Sequence, residues 1–301
     1  MNQILIRFTQ NKATVLLVLA IILLLFGGAF AYQKFFTETG PLEEVDLTFD
    51  AEGPYALLVP RRDGNALILN LKRTATYDSI SFELAYTADA DDVVIKGQKT
   101  DDRENSGSID RGVVGEIDTG GGSATKQKKG EYEQEILFGT CSKNVCKFDK
   151  GVENGTLTLH IRKGRNAYRM ITQWHIEQPD VALGILTSGD NHFTYSIQNT
   201  KREDLALIGY TIINDLTGVP KLPEGKEISG KVYALNTPIA KDLMAGSVFL
   251  ELAENPGPGA KLARYSERTS KWEELDTKVE GFKFSGKASG AGIFAVLVPK
   301  K

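Results

Sequence analysis

Beyond residue 44 the chain repeats one pattern: short runs that alternate apolar and polar residues, each closed by Gly, Pro, Asn, Asp or Ser. A period of two is what a half-buried β-strand needs, and no helical period persists outside residues 13–32. VDLTFD (45–50), YALLVP (55–60), ALILNLKR (66–73), SISFELAYTA (79–88), VVIKG (93–97), EYEQEILFGTC (131–141), GTLTLHIRK (155–163) and AYRMITQWHIEQ (167–178) make a first set. Gln178-Pro179-Asp180 then reads as a boundary. A second set follows: VALGILTS (181–188), FTYSIQN (193–199), LALIGYTIIN (205–214), ISGKVYALN (228–236), SVFLELAE (247–254), AKLARYSER (260–268), KWEEL (271–275), KVEGFKFSG (278–286) and GIFAVLVP (292–299). Turn clusters such as SGDN (188–191) and NDLTG (214–218) separate them. The expectation is an all-β chain with two Ig-like sandwiches, over 45–178 and 179–301. GIFAVLVP, apolar on both faces, reads as a central strand.

One hairpin can be checked against itself. Closing residues 155–163 on 167–178 at Lys163-Gly164-Arg165-Asn166 puts Ile161 opposite Tyr168 and Leu159 opposite Met170. Both strands then send their apolar residues to one side, as a correct register must. Gly164 suits the first position of a type II′ turn. The outward face carries Thr158, His160, Arg162, Arg169, Gln173 and His175, with Ile171 opposite Thr158.

The only two cysteines, Cys141 and Cys146, flank Ser142-Lys143-Asn144-Val145. Opposed residues of an antiparallel pair lie at separations that a disulfide accepts, so the spacing favours a bridge pinning a hairpin. Two reduced, buried cysteines are the alternative. C-x4-C is neither the C-x-x-C of redox centres nor part of a zinc cluster.

Residues 13–32 (ATVLLVLAIILLLFGGAFAY) hold twenty residues with Thr14 the one clearly polar member. At 1.5 Å per residue they span a hydrocarbon core of about 30 Å. Arg7 and Lys12 precede this run, while Glu38, Glu43, Glu44 and Asp46 follow. The positive-inside rule therefore expects a single-pass anchor with residues 1–12 cytoplasmic and everything after Tyr32, beginning with the linker 33–44, extracytoplasmic. A signal peptide cut after Ala31, at the small-x-small triplet Ala29-Phe30-Ala31, is the rival. Either places the cysteines where a disulfide persists. With Arg7 and Lys12 set aside, the net charge of −3 becomes −5 on residues 33–301. That acidic balance without a basic stripe argues against nucleic acid.

The closing run resembles the last strands of sandwich modules in bacterial surface proteins, with Trp272 on one strand, Gly281 at a turn and Gly292-Ile293-Phe294-Ala295-Val296 on a terminal G-x-F-A-V strand. The stretch ELAYT with GTCSKNVCKFDKGVENGTLTLHI is similar to uncharacterised membrane-anchored surface proteins of small-genome, candidate-phyla bacteria, and more loosely to cohesin-like sandwiches. The resemblance covers most of the chain and implies a fold and a surface location. It carries over no catalytic residue.

Residues 98–130, polar and rich in Gly and Ser, read as a mobile excursion in which VVGEID (113–118) is a candidate short strand. Ser123-Ala124-Thr125-Lys126 matches S-x-x-K, but it follows three glycines and lacks the companion motifs of that chemistry. Asp89, Asp91 and Asp92 are candidate oxygen ligands for Ca²⁺, against the plainer reading of a solvated acidic loop. Glu131, Glu133 and Glu135 alternate along a strand as an acidic outward stripe. His160, His175 and His192 fall at outward or edge positions and share no metal site. Asn154-Gly155-Thr156 is an N-x-[ST] sequon. No nucleotide-binding, hydrolase or zincin motif is present, and neither a catalytic residue nor a cofactor is expected. The leading expectation is an anchored surface protein that presents its modules for protein contacts or envelope assembly. Glycan- or Ca²⁺-dependent recognition comes second, and an exported enzyme third.

Overall fold

The computed structural model describes residues 17–18, 20–28, 43–89, 108–117, 130–143, 145–178, 183–197, 209–238 and 243–300. Two compact units divide the chain, Met1–Glu43 and Glu44–Lys301. In the first, residues 17–18 and 20–28 are helical, with Leu23, Leu24, Leu25 and Phe26 exposed. Among the described residues no helix is long and apolar enough to cross a membrane, and the rest of the expected anchor over 13–32 lies outside them.

The second unit is β throughout. In chain order its strands are β1 (Glu44–Asp46), β2 (Tyr55–Pro60), β3 (Ala66–Lys72), β4 (Ser79–Asp89), β5 (Ser108–Ile117), β6 (Glu131–Leu137), β7 (Gly139–Ser142), β8 (Val145–Phe148), β9 (Asn154–Lys163) and β10 (Asn166–Glu177). They continue with β11 (Ile185–Thr187), β12 (Phe193–Ile197), β13 (Tyr210–Asn214), β14 (Lys226–Asn236), β15 (Gly246–Glu251), β16 (Lys261–Ser266), β17 (Lys271–Glu274), β18 (Lys278–Glu280), β19 (Lys283–Ala288) and β20 (Gly292–Pro299). A long sheet runs β17-β16-β20-β14-β13-β10-β9-β4-β5, and β1 lies parallel to β10 beside Ala167, Tyr168 and Arg169. A sheet of β2-β3-β6 packs on one face, a sheet of β11-β12-β15-β19-β18 on the other, and β7-β8 form a separate hairpin.

Pleating decides which residue meets which layer. On β4 and β9 the inward residues Ile80, Phe82, Leu84, Leu157, Leu159 and Ile161 meet Leu58, Leu67, Leu69 and Leu71 of the three-stranded sheet in a first core. Strands β13, β14 and β20 contribute Ile213, Ala234, Ile293 and Ala295 to that core. Their alternate residues Ile212, Tyr233, Leu235, Phe294 and Val296 fill a second core with Phe193, Tyr195, Val248, Leu250 and Phe284 of the five-stranded sheet. The two expected modules therefore share one sheet, and β10 pairs with β13 across the boundary expected at 178–180. GIFAVLVP is central, as its apolar faces require, because it has a core on each side.

The self-checked hairpin has the expected register, with Ile161 opposite Tyr168, Leu159 opposite Met170 and Thr158 opposite Ile171. Gly164 takes φ +60° in its two-residue turn. Residues 131–141 differ from the single strand expected. Phe138 turns into the first core, 4.9 Å from the Tyr86 ring and 6.0 Å from Trp174. Gly139, at φ +124°, then starts β7, where a Cβ would stand 2.2 Å from the Lys147 carbonyl. Cys141 is paired with Cys146 and Ser142 with Val145, and the sulfurs are 2.05 Å apart. KVEGFKFSG likewise divides, with Gly281 at φ +64° turning β18 into β19. Within 98–130 the candidate strand at 113–118 is found over 113–117 and extends back to Ser108, so the expectation of a mobile excursion is corrected over residues 108–117. They form β5, paired with β4 along its full length from Ile80–Ile117 to Asp89–Ser108. The remainder of that segment, with Ser123 and Lys126, lies outside the described residues.

Phe294 packs 5.2 Å from Phe193 and 6.1 Å from Tyr195. Phe294→Ala is expected to cost about 3–5 kcal/mol. In a Trp272→Phe background, Trp174 fluorescence from the opposite core should report the same lowered denaturation midpoint. An unmoved Trp174 transition means that the cores unfold independently. The disulfide closes a short loop, so reduction should lower stability by about 2 kcal/mol and leave the fold intact. Denaturation curves with and without reductant check this.

Candidate functional site

The five-stranded sheet covers only part of the long one. Tyr210 and Ile212 of β13, Tyr233 and Leu235 of β14, Leu262 of β16 and Phe294 and Val296 of β20 lie beneath it. The corresponding face of β10, β9, β4 and β5 is open. There Val114 is 76% exposed and Ile171 47%, in one row with Glu83 and Thr158.

Where the cover ends, the step forms a groove of about 720 Å³. Its floor is one register row across four strands: Ala85, Thr156, Gln173 and Asn214. Thr87, Asp110, Asn154 and His175 extend it on one side, and Gly189 of the β11–β12 turn stands at the step. Gly155 in the floor has no room for a side chain, since a Cβ would lie 2.1 Å from the Ala85 carbonyl and 2.6 Å from the Trp174 ring.

Asn214 is 3% exposed and its Oδ1 has no hydrogen-bond partner; Trp174, 2% exposed, has none for Nε1. A buried polar atom left unpaired costs about 1–3 kcal/mol. Among the described residues four buried side-chain atoms are in this condition, the others belonging to Thr172 and Trp272. One of the four, Asn214 Oδ1, belongs to the groove floor, whereas the Trp174 indole lies on the other face of the sheet, in the first core.

Asp190 holds the step in place. Its Oδ1 accepts from Ser188 Oγ at 2.6 Å and from the His192 N–H at 3.3 Å. Oδ2 accepts from Tyr233 Oη at 3.0 Å and from Lys231 Nζ at 3.2 Å, and the same ammonium reaches Asp215 at 2.9 Å. Burial opposes the charge on Asp190, but these hydrogen bonds outweigh it and hold the carboxyl below its usual range. At the other end of the groove Tyr86 Oη donates to Asp149 Oδ2 at 2.8 Å and accepts from the Gly139 N–H at 3.2 Å. Burial, with the Asp149 carboxylate beside it, pushes the Tyr86 phenol up to about 12, so it stays a donor. Arg111 approaches Asp149 at 3.7 Å.

A second cavity, of about 560 Å³, lies where β14, β16 and the Ser289–Ile293 segment meet. Its buried Arg264 donates to the Ala291 carbonyl at 2.8 Å, to Ser289 Oγ at 2.8 Å and to Glu273 at 3.2 Å. These bonds tie the hairpin β16–β17 to the entry of β20, a structural use of the guanidinium.

The residues singled out in the sequence are scattered. Asp89 ends β4 at the surface, whereas Asp91 and Asp92 lie outside the described residues. Among the described residues no three His, Cys, Asp or Glu side chains gather as metal ligands. Glu131 and Glu135 pair with Lys72 at 3.3 Å and Arg61 at 2.5 Å, so the acidic stripe of β6 is matched by cations from neighbouring segments. His160 contacts Glu44 at 2.9 Å, docking β1, and His175 contacts Glu177 at 3.4 Å beside the groove. Asn154 of the sequon lines the groove. Asp190 and Asn214 went unnoticed because SGDN and NDLTG look like ordinary turns. The signal available for Asn214 was that it closes β13, a strand buried on both faces.

No protein-family model matches the chain, and no curated protein matches it. What the strand pairing and cores define is an all-β protein with sandwich-like packing of sheets.

Because folding lowers the Asp190 carboxyl below its unfolded value, its ionised form adds stability. That contribution is complete above about pH 4 and fades as pH falls through the lowered value. Asp190→Asn should cost about 1–2 kcal/mol at pH 7 and progressively less below about pH 4. Urea titrations at both ends of that range read the difference. An equal loss at every pH would assign the effect to packing instead.

Proposed function

We propose that this is a single-pass, membrane-anchored surface protein, its N-terminus cytoplasmic, that presents Ig-like β-sandwich packing outside the membrane for contact with another protein, as a subunit of an envelope assembly. The apolar run 13–32 with its charge asymmetry supports the anchor, and the paired cysteines agree with an extracytoplasmic setting. The observation that carries the contact is the open sheet face. Val114 and Ile171 stand exposed at the two ends of one row across β5, β4, β9 and β10, with Glu83 and Thr158 between them. Apolar side chains interleaved with polar ones on an exposed sheet face match the make-up of a transient protein interface.

Crosslinking in the native membrane, extraction in mild detergent and mass spectrometry provide the test. A stoichiometric protein should co-purify, and Val114→Lys with Ile171→Lys should abolish its recovery while leaving the melting temperature within about 2 °C. A protein that purifies alone, or a partner retained by the double variant, rules this contact out. A second reading, recognition of a small hydroxylated ligand, is favoured by the groove.

A further inference from the structure

We propose that the groove at the step of the long sheet binds a neutral oligosaccharide, with Thr156, Gln173 and Asn214 as its principal hydrogen-bonding residues. The inference does not depend on the protein-contact reading, which concerns the row of Val114 and Ile171.

The floor row crosses four adjacent strands. Three interstrand spacings make it about 14 Å long, room for a short chain of sugars rather than a single one. Its side chains are amides and a hydroxyl, and Thr87 and Asn154 beside them are of the same kind. Each such group donates and accepts, the pairing that a ring of alcohol groups requires. Asn214 sharpens the point. Its Oδ1 is an acceptor out of contact with water and without a partner, and a ligand hydroxyl donates the missing hydrogen.

Charge and backbone exclude the competing classes. Asp110 and Arg111 oppose each other in sign, Arg111 approaches Asp149, and His175 is beside Glu177. Nothing there selects an anion. An extended peptide adds to a sheet through an unpaired strand edge. The floor strands β4, β9 and β10 are instead paired along the floor row on both sides, so only side chains are on offer. No large aliphatic side chain lies on the floor to hold an apolar molecule.

The experiment uses the full-length protein in a detergent without a sugar headgroup, applied to an array of neutral and acidic oligosaccharides. The strongest neutral binder is then titrated by isothermal calorimetry. Neutral chains of three or more units should bind. Gln173→Ala and Thr156→Val should each weaken the complex about five- to tenfold, the size of one or two neutral hydrogen bonds, with the melting temperature unchanged. Asn214→Ala should weaken binding to a similar degree without lowering the melting temperature, because it removes an unpaired amide; a purely structural Asn214 would lower it. Ile171→Lys should leave sugar binding as it was. Absence of any neutral binder, preference for acidic members, or indifference to Gln173→Ala and Thr156→Val overturns the proposal.

Discussion

Ile212 and Ile213 are neighbours in sequence and belong to different cores. The same division runs through Tyr233 and Ala234, and through Ile293, Phe294, Ala295 and Val296. Strand β13, the second half of β14 and the body of β20 are buried on both faces, so neither face tolerates a charge there, and each large side chain contributes about 1.5–3 kcal/mol by leaving water. The sizes are unequal. Tyr233 and Phe294 face the five-stranded sheet, where Phe193 and Tyr195 also pack, while Ala234 and Ala295 let the three-stranded sheet come close. Thr211, one of three buried polar residues on these strands with Asn214 and Asn236, gives its hydroxyl to the Leu58 carbonyl of the covering strand. The outer sheets depend on this middle layer for most of their apolar contacts.

Unequal layers leave a step, and the groove is that step. The five-stranded sheet ends over β13, and beyond it the long sheet continues through β10, β9, β4 and β5 with its face bare. The hydrogen bonds of Asp190 to the body of β14 hold the step's upper edge, and Tyr86 with Asp149 braces the far side. The groove thus has a rigid floor of paired strands and walls fixed by buried polar bonds. A site of that kind is preorganised, and less ordering entropy is lost when it fills.

How much of this could be read in advance follows from what alternation encodes. A period of two specifies which residues share a face, so the register of β9 with β10 and the opposition of Cys141 to Cys146 could be derived from the sequence. An unbroken apolar run such as GIFAVLVP says that both faces are covered, but not by which strands. That is why two separate sandwiches were expected where one sheet serves both cores. Local breaks also escaped notice. Phe138 and Gly139 interrupt what reads as a continuous strand, because the burial of Phe138 between Tyr86 and Trp174 outweighs extension of β6. In β5 only VVGEI has the composition of a strand; the polar SIDRG before it takes its form from pairing with β4. The groove was the least legible part, since its floor draws one residue from each of four strands and no window of sequence contains it.

Three sheets instead of one closed barrel leave several strands at margins, where unpaired backbone can template a second chain. Of the six strands that end the three larger sheets, β6, β17 and β18 read EYEQEIL, KWEE and KVE, with a Lys or Glu at nearly every other position. Stacking two such margins from neighbouring molecules would set like charges face to face. Charged margins of this kind would oppose fusion of neighbouring copies along β6, β17 and β18, the places where β-proteins otherwise grow into fibres.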